Sequence, residues 1–289
     1  MNFNPLEHPV CLEFPRWLAE TAWAQHVPFA MFLVSALRPQ ILVELGAWRG
    51  VSYCAFCQAV KETRQTTRCY AVDTWRGDEH AGNLGDEALL ALRGHHDPKY
   101  SDFSSLVQST FDEALSHFSD NSIDLLHIDG FHSYEAVRHD FETWQPKMSK
   151  RGIVLFHDIN VRERGFGVYQ FWEEVSAKHP SFDFLHGHGL GVLAVGAEIA
   201  GELRFLFKSD EREKVLIREF FFALGSRVEA IWQVQEKDRE IFDYKKLVGV
   251  LRTYEEVVNK SKLLRGFRVL KDEGVTSFFK KAAGKDQTK

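Results

Sequence analysis

The chain has too few cysteines for a disulfide framework, with four in 289 residues. Cys54 and Cys57 do form a C-x-x-C, but it lies inside the helical pattern VSYCAFCQAV and has no second cysteine or histidine pair to complete a zinc site. Buried structural thiols are expected. An excess of positive charge is also lacking: 36 Lys and Arg stand against 41 Asp and Glu, for a net charge of -5. The scatter of both signs excludes the basic field a nucleic-acid binder needs. The longest early apolar run, VPFAMFLVSAL, is too short to span a bilayer and carries Pro28. The opening MNFNPLEHPVCLEFPRW has no basic region followed by an apolar one, so no signal peptide is read and a soluble cytoplasmic protein is expected. The dinucleotide fingerprint G-x-G-x-x-G is missing, which argues against a dehydrogenase.

What is present is a series of short apolar runs separated by helical periodicity. With 44% hydrophobic residues, the chain can bury one large core and still carry an appendage. The runs QILVELG, RCYAVD, SLVQS, IDLLHID and GIVLFHD alternate with VSYCAFCQAV, FDEALSHF and SYEAVRHDFETW, the last with Tyr134, Val137, Phe141 and Trp144 on one helical face. Strands apolar on both faces and alternating with helices indicate a parallel sheet covered on both sides. A further helix, VYQFWEEVSAKHP, precedes FDFLHGHGLGVLAVG, two β-like runs joined by a His-Gly turn that suggest a terminal antiparallel hairpin.

The first strand and its turn, VELGAWRGVS, place Glu44, Gly46 and Gly50 in an E-x-G-x-x-x-G, and Asp73 closes the next strand. Trp48 and Arg49 fill the approach a pyrophosphate would need, so a ligand without phosphate fits better. Gly46 would let the backbone approach it, Glu44 could accept from an ammonium group, and Asp73 could take two ribose hydroxyls. S-adenosylmethionine has those parts. Two glycines and two acids equally describe a plain structural turn.

Together, VELGAWRGVS, YAVDTWRGDEHAG, IDLLHIDGFHSYEAVRHDFETW and GIVLFHD resemble class I S-adenosylmethionine-dependent methyltransferases over roughly residues 40 to 196. They are similar to the sugar O-methyltransferases that modify macrolide sugars, and to relatives found with surface-polysaccharide glycosyltransferases. The resemblance implies a doubly wound, Rossmann-like, seven-stranded sheet ordered 3-2-1-4-5-7-6, mostly parallel with an antiparallel terminal hairpin. It implies S-adenosylmethionine bound through Glu44, Gly46, Gly50, Ser52 and Asp73. Strands four and five would be neighbours about 4.8 Å apart, both ending at the ligand edge, with Asp129 and Asp158 side by side. Family members hold a divalent cation at the matching positions, Mg or another, which would orient the acceptor and lower its pKa. His132 would take the proton of the acceptor hydroxyl. Where relatives carry two adjacent acids this chain has His157 and Asp158, and an imidazole ligand suits zinc, iron, nickel or copper better than magnesium. His157 could equally point into the sheet and bond backbone.

The connection TWRGDEHAGNLGDEALLALRGHHDPKYSDF is long for a compact domain and reads as a lid, the alternative being a surface subdomain with its own small helix at 85–93. Its Trp75, Arg76, Asp78, His80 and Tyr100 are side chains a sugar site favours. His95, His96 and Asp97 read as a solvated turn before Pro98 rather than a metal cluster. Three segments are expected: 1–39 as two short helices broken by Pro28, 40–198 as the methyltransferase domain, and 199–289 as a charged helical extension. The extension's apolar seam is interrupted at Gln235 and Asp238, so it is expected to pack on itself or on a second subunit of a homo-oligomer. From Lys260 on it becomes a basic amphipathic tail, for which solvent, the anionic inner face of a membrane and a glycosyltransferase are alternative surroundings. The resulting expectation is a cytoplasmic O-methyltransferase acting on a sugar hydroxyl of a bacterial surface glycan or its precursor. The alternatives are a natural-product O-methyltransferase and a non-catalytic scaffold that kept the fold.

Overall fold

The structure, a computed structural model, describes residues 3–283 apart from 81 and 84. The side chain of Asp78 and, Lys260 and Lys271 apart, those of the expected basic tail lie outside the described residues. The chain divides into two compact units, Met1–Trp232 and Gln233–Lys289.

In the first unit, strands β1 (Ile41–Leu45), β2 (Arg68–Asp73), β5 (Ser104–Gln108), β6 (Ile123–Ile128) and β7 (Met148–His157) lie parallel. Strand β9 (Leu190–Ala194) runs antiparallel beside β7, and β8 (Ser181–Phe184) antiparallel beside β9. The sheet order is β5-β2-β1-β6-β7-β9-β8, which in chain order of these strands is 3-2-1-4-5-7-6. The fold is therefore the Rossmann-like α/β sheet, mostly parallel with a terminal antiparallel hairpin. β6 is buried at every residue, as a central strand covered on both faces must be.

The sheet has an apolar layer on each face. One is built on helices α1 (Val27–Leu37) and α2 (Val51–Glu62), the other on α4 (Phe111–Leu115), α5 (Tyr134–Trp144) and α6 (Val168–Ser176). α1 is apolar all round and buried along nearly its whole length, because the first turns of the long C-terminal helix α8 (Glu211–Ala283) add Ile217, Phe221 and Val228 to the same cluster. The short α7 (Arg204–Lys208) contributes Phe205 and Leu206 there as well. The compact unit thus takes in the N-terminal segment and extends beyond residue 198.

Three local expectations are corrected. Pro28 does not break two helices; it sits in the first turn of α1, where its missing N–H costs nothing, and short 3-10 turns precede it. His95–Asp97 are not a solvated turn but belong to α3 (Asp86–Tyr100), which accommodates Pro98 near its end. His96 is buried there, and Ser104 Oγ holds its ring at 2.7 Å. Finally, α8 runs unbroken through Gln235 and Asp238, so no turn folds residues 233–283 back on themselves. All four cysteines are buried and free, as expected.

Candidate active site

In an open α/β sheet, ligands collect where the strands end and the chain order reverses. Here a cavity of about 540 Å³ opens beyond the C-terminal ends of β1, β2, β6 and β7, lined by Gly46, Asp73, Asp129 and Asp158 from those ends. The Asp129 and Asp158 carboxylates do come together, but not as neighbours in the strand register. β6 and β7 are in register at Ile128↔Phe156, so Asp129 comes level with His157 rather than Asp158. Asp158 reaches the site through a backbone turn at φ 61°, a left-handed conformation that an aspartate tolerates better than most side chains.

The three side chains His132, Asp129 and Asp158 form a tight cluster. His132 Nε2 lies 2.9 Å from Asp158 Oδ2 and 3.5 Å from Asp129 Oδ1. His157 donates from Nδ1 to Asp129 Oδ1 at 3.2 Å and from Nε2 to the Gly187 carbonyl at 3.0 Å. With acceptors on both nitrogens, its ring is a cation. Burial disfavours that charge, yet Asp158 and Asp129 raise the His157 pKa well above the ordinary range. Burial likewise opposes protonation of His132, but bonds to Asp129 and Asp158 push it up to about 9. Both aspartates resist burial in turn. The His157 charge and the imidazole bonds hold their carboxyls well below the usual carboxylate range. Two carboxylates thus face two imidazoles, and each side favours the charged form of the other.

Ligand atoms of Asp129, His132 and Asp158 all lie within 4.8 Å of one another, so these three could hold a metal ion. The expected ligand His157 is not among them. Its Nδ1 is committed to Asp129 and its Nε2 to Gly187, so it braces the carboxylates instead. His188, from the β8–β9 turn, completes the ring of partners by reaching Asp158 Oδ1 at 2.9 Å.

The expected cofactor residues divide. Gly46, at φ 88°, lines the cavity, and a Cβ there would lie 2.1 Å from the Asp129 carbonyl. Its bare backbone lets the ends of β1 and β6 close on each other. Asp73 also lines the cavity, but its carboxylate already has work: Oδ2 accepts from the Ala47 and Trp48 N–H groups at 2.9 Å each, and Oδ1 from Trp75 N–H at 2.7 Å. Glu44, Gly50 and Ser52 do not line it. Glu44 is fully buried against His127 Nδ1 at 2.8 Å, its neighbour in the β1–β6 register, and burial raises its pKa. His127 thus engages one of its two oxygens, Oε1. Gly50 caps α2 at φ 77° and faces Leu92, while Ser52 is buried within the helix.

The lid divides as well. Its first part makes a small hairpin, β3 (Gly77–Asp78) with β4 (Gly82–Asn83), which brings His80 to the cavity. His80 stacks on Phe131 and Phe166, and His132 stacks on Phe166 at 4.5 Å, so the candidate base stands in an aromatic wall. Trp75 is buried and donates to the Trp48 carbonyl; Arg76 is exposed; neither lines the cavity. Tyr100 is corrected: α3 carries it into the core against His96 and Phe103 rather than to the site. Sequence reasoning missed the N-terminal wall, Glu20–Trp23, and also Arg164 and His188. The Gly-flanked histidines of HGHG were the only signal for the last of these.

Residues 43–159 match a family model described as a methyltransferase domain. The uncharacterized protein y4gI of Sinorhizobium fredii (strain NBRC 101917 / NGR234) is 53% identical over 206 residues, 71% of this chain but 23% of that protein. The chain therefore spans about a quarter of the length of that curated relative. Among solved structures, the O-methyltransferase TomG from Streptomyces achromogenes, involved in tomaymycin synthesis and in complex with SAM, shares 10% identity at a TM-score of 0.46. The match covers 66% of this chain and 88% of that one. A methyltransferase from Geobacter sulfurreducens shares 18% at a TM-score of 0.43, covering 59% and 78%.

Proposed function

We propose that this domain transfers a methyl group from S-adenosylmethionine to a hydroxyl of a sugar, within a bacterial surface glycan or its precursor. The matched methyltransferase region supports the reaction, and the observation that carries the site is the Asp129–His132–Asp158 cluster at the strand ends, across one cavity from Gly46 and Asp73. The cofactor, when bound, supplies an electrophilic methyl on a sulfonium. The residues fit it: Asp73 lines the cavity with a carboxylate, Gly46 lines it with no side chain in the way, and Phe111 brings an aromatic ring to it at the start of α4.

A sugar hydroxyl is too weak an acid to ionise unaided at neutral pH, so its proton needs an acceptor. His132 is placed for that. While Asp129 and Asp158 rely on it for countercharge it stays protonated; once another charge neutralises them, the imidazole loses that attraction and becomes a base. A divalent cation held by the two carboxylates would supply this charge and stabilise the developing alkoxide. His157, anchored on Gly187, would keep the carboxylates aimed. The aromatic wall of Phe131, Phe166 and His80 supports a sugar acceptor, since such faces pack on C–H surfaces.

The test is methyl transfer from labelled S-adenosylmethionine to surface glycan from cells lacking the protein, followed by mass spectrometry. Gain of one methyl mass on one sugar is expected. A glycan that stays unlabelled while the protein binds the cofactor would refute the acceptor.

A further inference from the structure

A second cavity, of about 570 Å³, lies beside the first within the same compact unit. The two share Glu20, Thr21, Ala22, Trp48 and His188, so the space runs on past the Asp158–His188 pair. Trp232 and Glu229 of α8 line the second cavity together with Gln25, which donates to Glu229. We infer that this second cavity is a subsite for the neighbouring sugar unit of an oligosaccharide acceptor, an inference that rests on the sugar reading above.

Three observations carry it. First, the wall is built rather than incidental. Gly225 brings α8 so close to the N-terminal segment that a Cβ there would lie 2.1 Å from the Gln25 carbonyl, and Ile217, Phe221 and Val228 anchor the same helix in the core. Second, the lining combines two indoles with an amide, two carboxylates and a threonine. Flat apolar faces beside hydrogen-bonding groups match a ring whose faces are C–H and whose rim is hydroxyl. Trp48 lines both cavities, and its buried Nε1–H has no acceptor among the described residues, a donor still to be satisfied.

Third, the charge selects among acceptors. The second cavity is lined by two carboxylates, Glu20 and Glu229, and by no Lys or Arg; Arg49 Nη2 meets Glu20 Oε2 at 3.5 Å, which leaves Glu229 without a cationic partner among the lining residues. A phosphate-bearing portion of an acceptor, whether from a nucleotide, a thioester carrier or a lipid diphosphate, would meet Glu20 and Glu229 in the second cavity and be repelled. An uncharged sugar chain would not. The substrate class is therefore a neutral oligosaccharide with the methylated unit at the histidine cluster and the next unit against Trp232.

The experiment uses the full chain, labelled S-adenosylmethionine, and two neutral acceptor fractions released by mild acid from surface glycan of cells lacking the protein: monosaccharides and oligosaccharides. Wild type should show a higher kcat/KM for the oligosaccharides. Trp232→Ala and Glu229→Gln should each cut that preference by about tenfold, through KM, while S-adenosylmethionine affinity by calorimetry stays at the wild-type value. If Trp232→Ala loses cofactor affinity as well, the isosteric Glu229→Gln decides alone. An unchanged preference, or none in wild type, overturns the subsite and leaves the methyltransferase reading standing. Labelling of neither fraction overturns the sugar reading, and the subsite with it.

Discussion

Asp73→Ala should damage the protein before any ligand is added. A carboxylate at the end of β2 that only gripped a cofactor could be removed from the ligand-free chain at little cost. In the structure it instead ties the β1 turn to its own strand, through the N–H groups of Ala47, Trp48 and Trp75 at 2.7–2.9 Å. A hydrogen bond to a charged group contributes about 1.5–3 kcal/mol, so three would sum to about 5–9 kcal/mol if independent. They are not independent: they share one half-buried carboxylate, and cavity water can reach part of what is left. A loss of about 2–4 kcal/mol is the working figure. Asp73→Asn has one oxygen to offer and should keep either the Ala47–Trp48 pair or Trp75, losing about half as much. Urea unfolding of the cofactor-free protein, followed by tryptophan fluorescence, reads these differences directly, and calorimetry with S-adenosylmethionine then gives the binding loss. Affinity should fall in the same order, Asn before Ala, because a loosened turn no longer presents Gly46 and Trp48. The reasoning is refuted if Asp73→Ala unfolds at the wild-type urea midpoint.

Other outcomes follow from the same geometry. Burial raises Asp140 to about 7, against an ordinary value of 3.8, so the native state holds its proton more tightly than the unfolded chain. Stability from this group is full below about pH 4 and is lost as pH rises through about 7. Asp140→Asn should therefore match wild type near pH 4 and exceed it by about 2–4 kcal/mol near pH 8, and parallel pH profiles in urea titrations would contradict this. His132→Ala should lower kcat by roughly 10²–10⁴-fold with cofactor affinity nearly intact, checked by single-turnover labelling; full activity would make the ring only the partner of two aspartates. Asp158→Asn removes the charge and one of the two oxygens shared by His132, His157 and His188, and chelator-treated wild type should fall to the same turnover if the carboxylates hold a cation. Gly46→Ala puts a methyl group against the Asp129 carbonyl at a left-handed backbone position, and thermal melting should show a loss of about 2–4 kcal/mol.

Much of this molecule was legible along the chain because the signals are local. Strands covered on both faces read as near-continuous apolar runs, and the buried stretches of β1, β2, β6 and β7 do, so the sheet and the places where it ends could be named from residues alone. Asp129, His132 and Asp158 stood out because polar groups directly after such runs have few structural reasons to be there. Their roles relative to one another were a different matter. Which of two adjacent residues, His157 or Asp158, meets His132 and which is anchored on Gly187 depends on strand register and on one left-handed backbone angle, and neither is written in residue type. Glu44 looked like a ligand group and is a buried partner of His127, because only the pairing of β1 with β6 sets those two side chains against each other. Tyr100 looked like a sugar platform, and α3 turned it into the core. Trp23, His188 and Trp232 come to the cavities from an N-terminal segment, a hairpin turn and a helix far apart in sequence. Long-range packing alone brings them together, since burying α1 on all sides draws the N-terminal segment and the start of α8 onto the same face of the sheet.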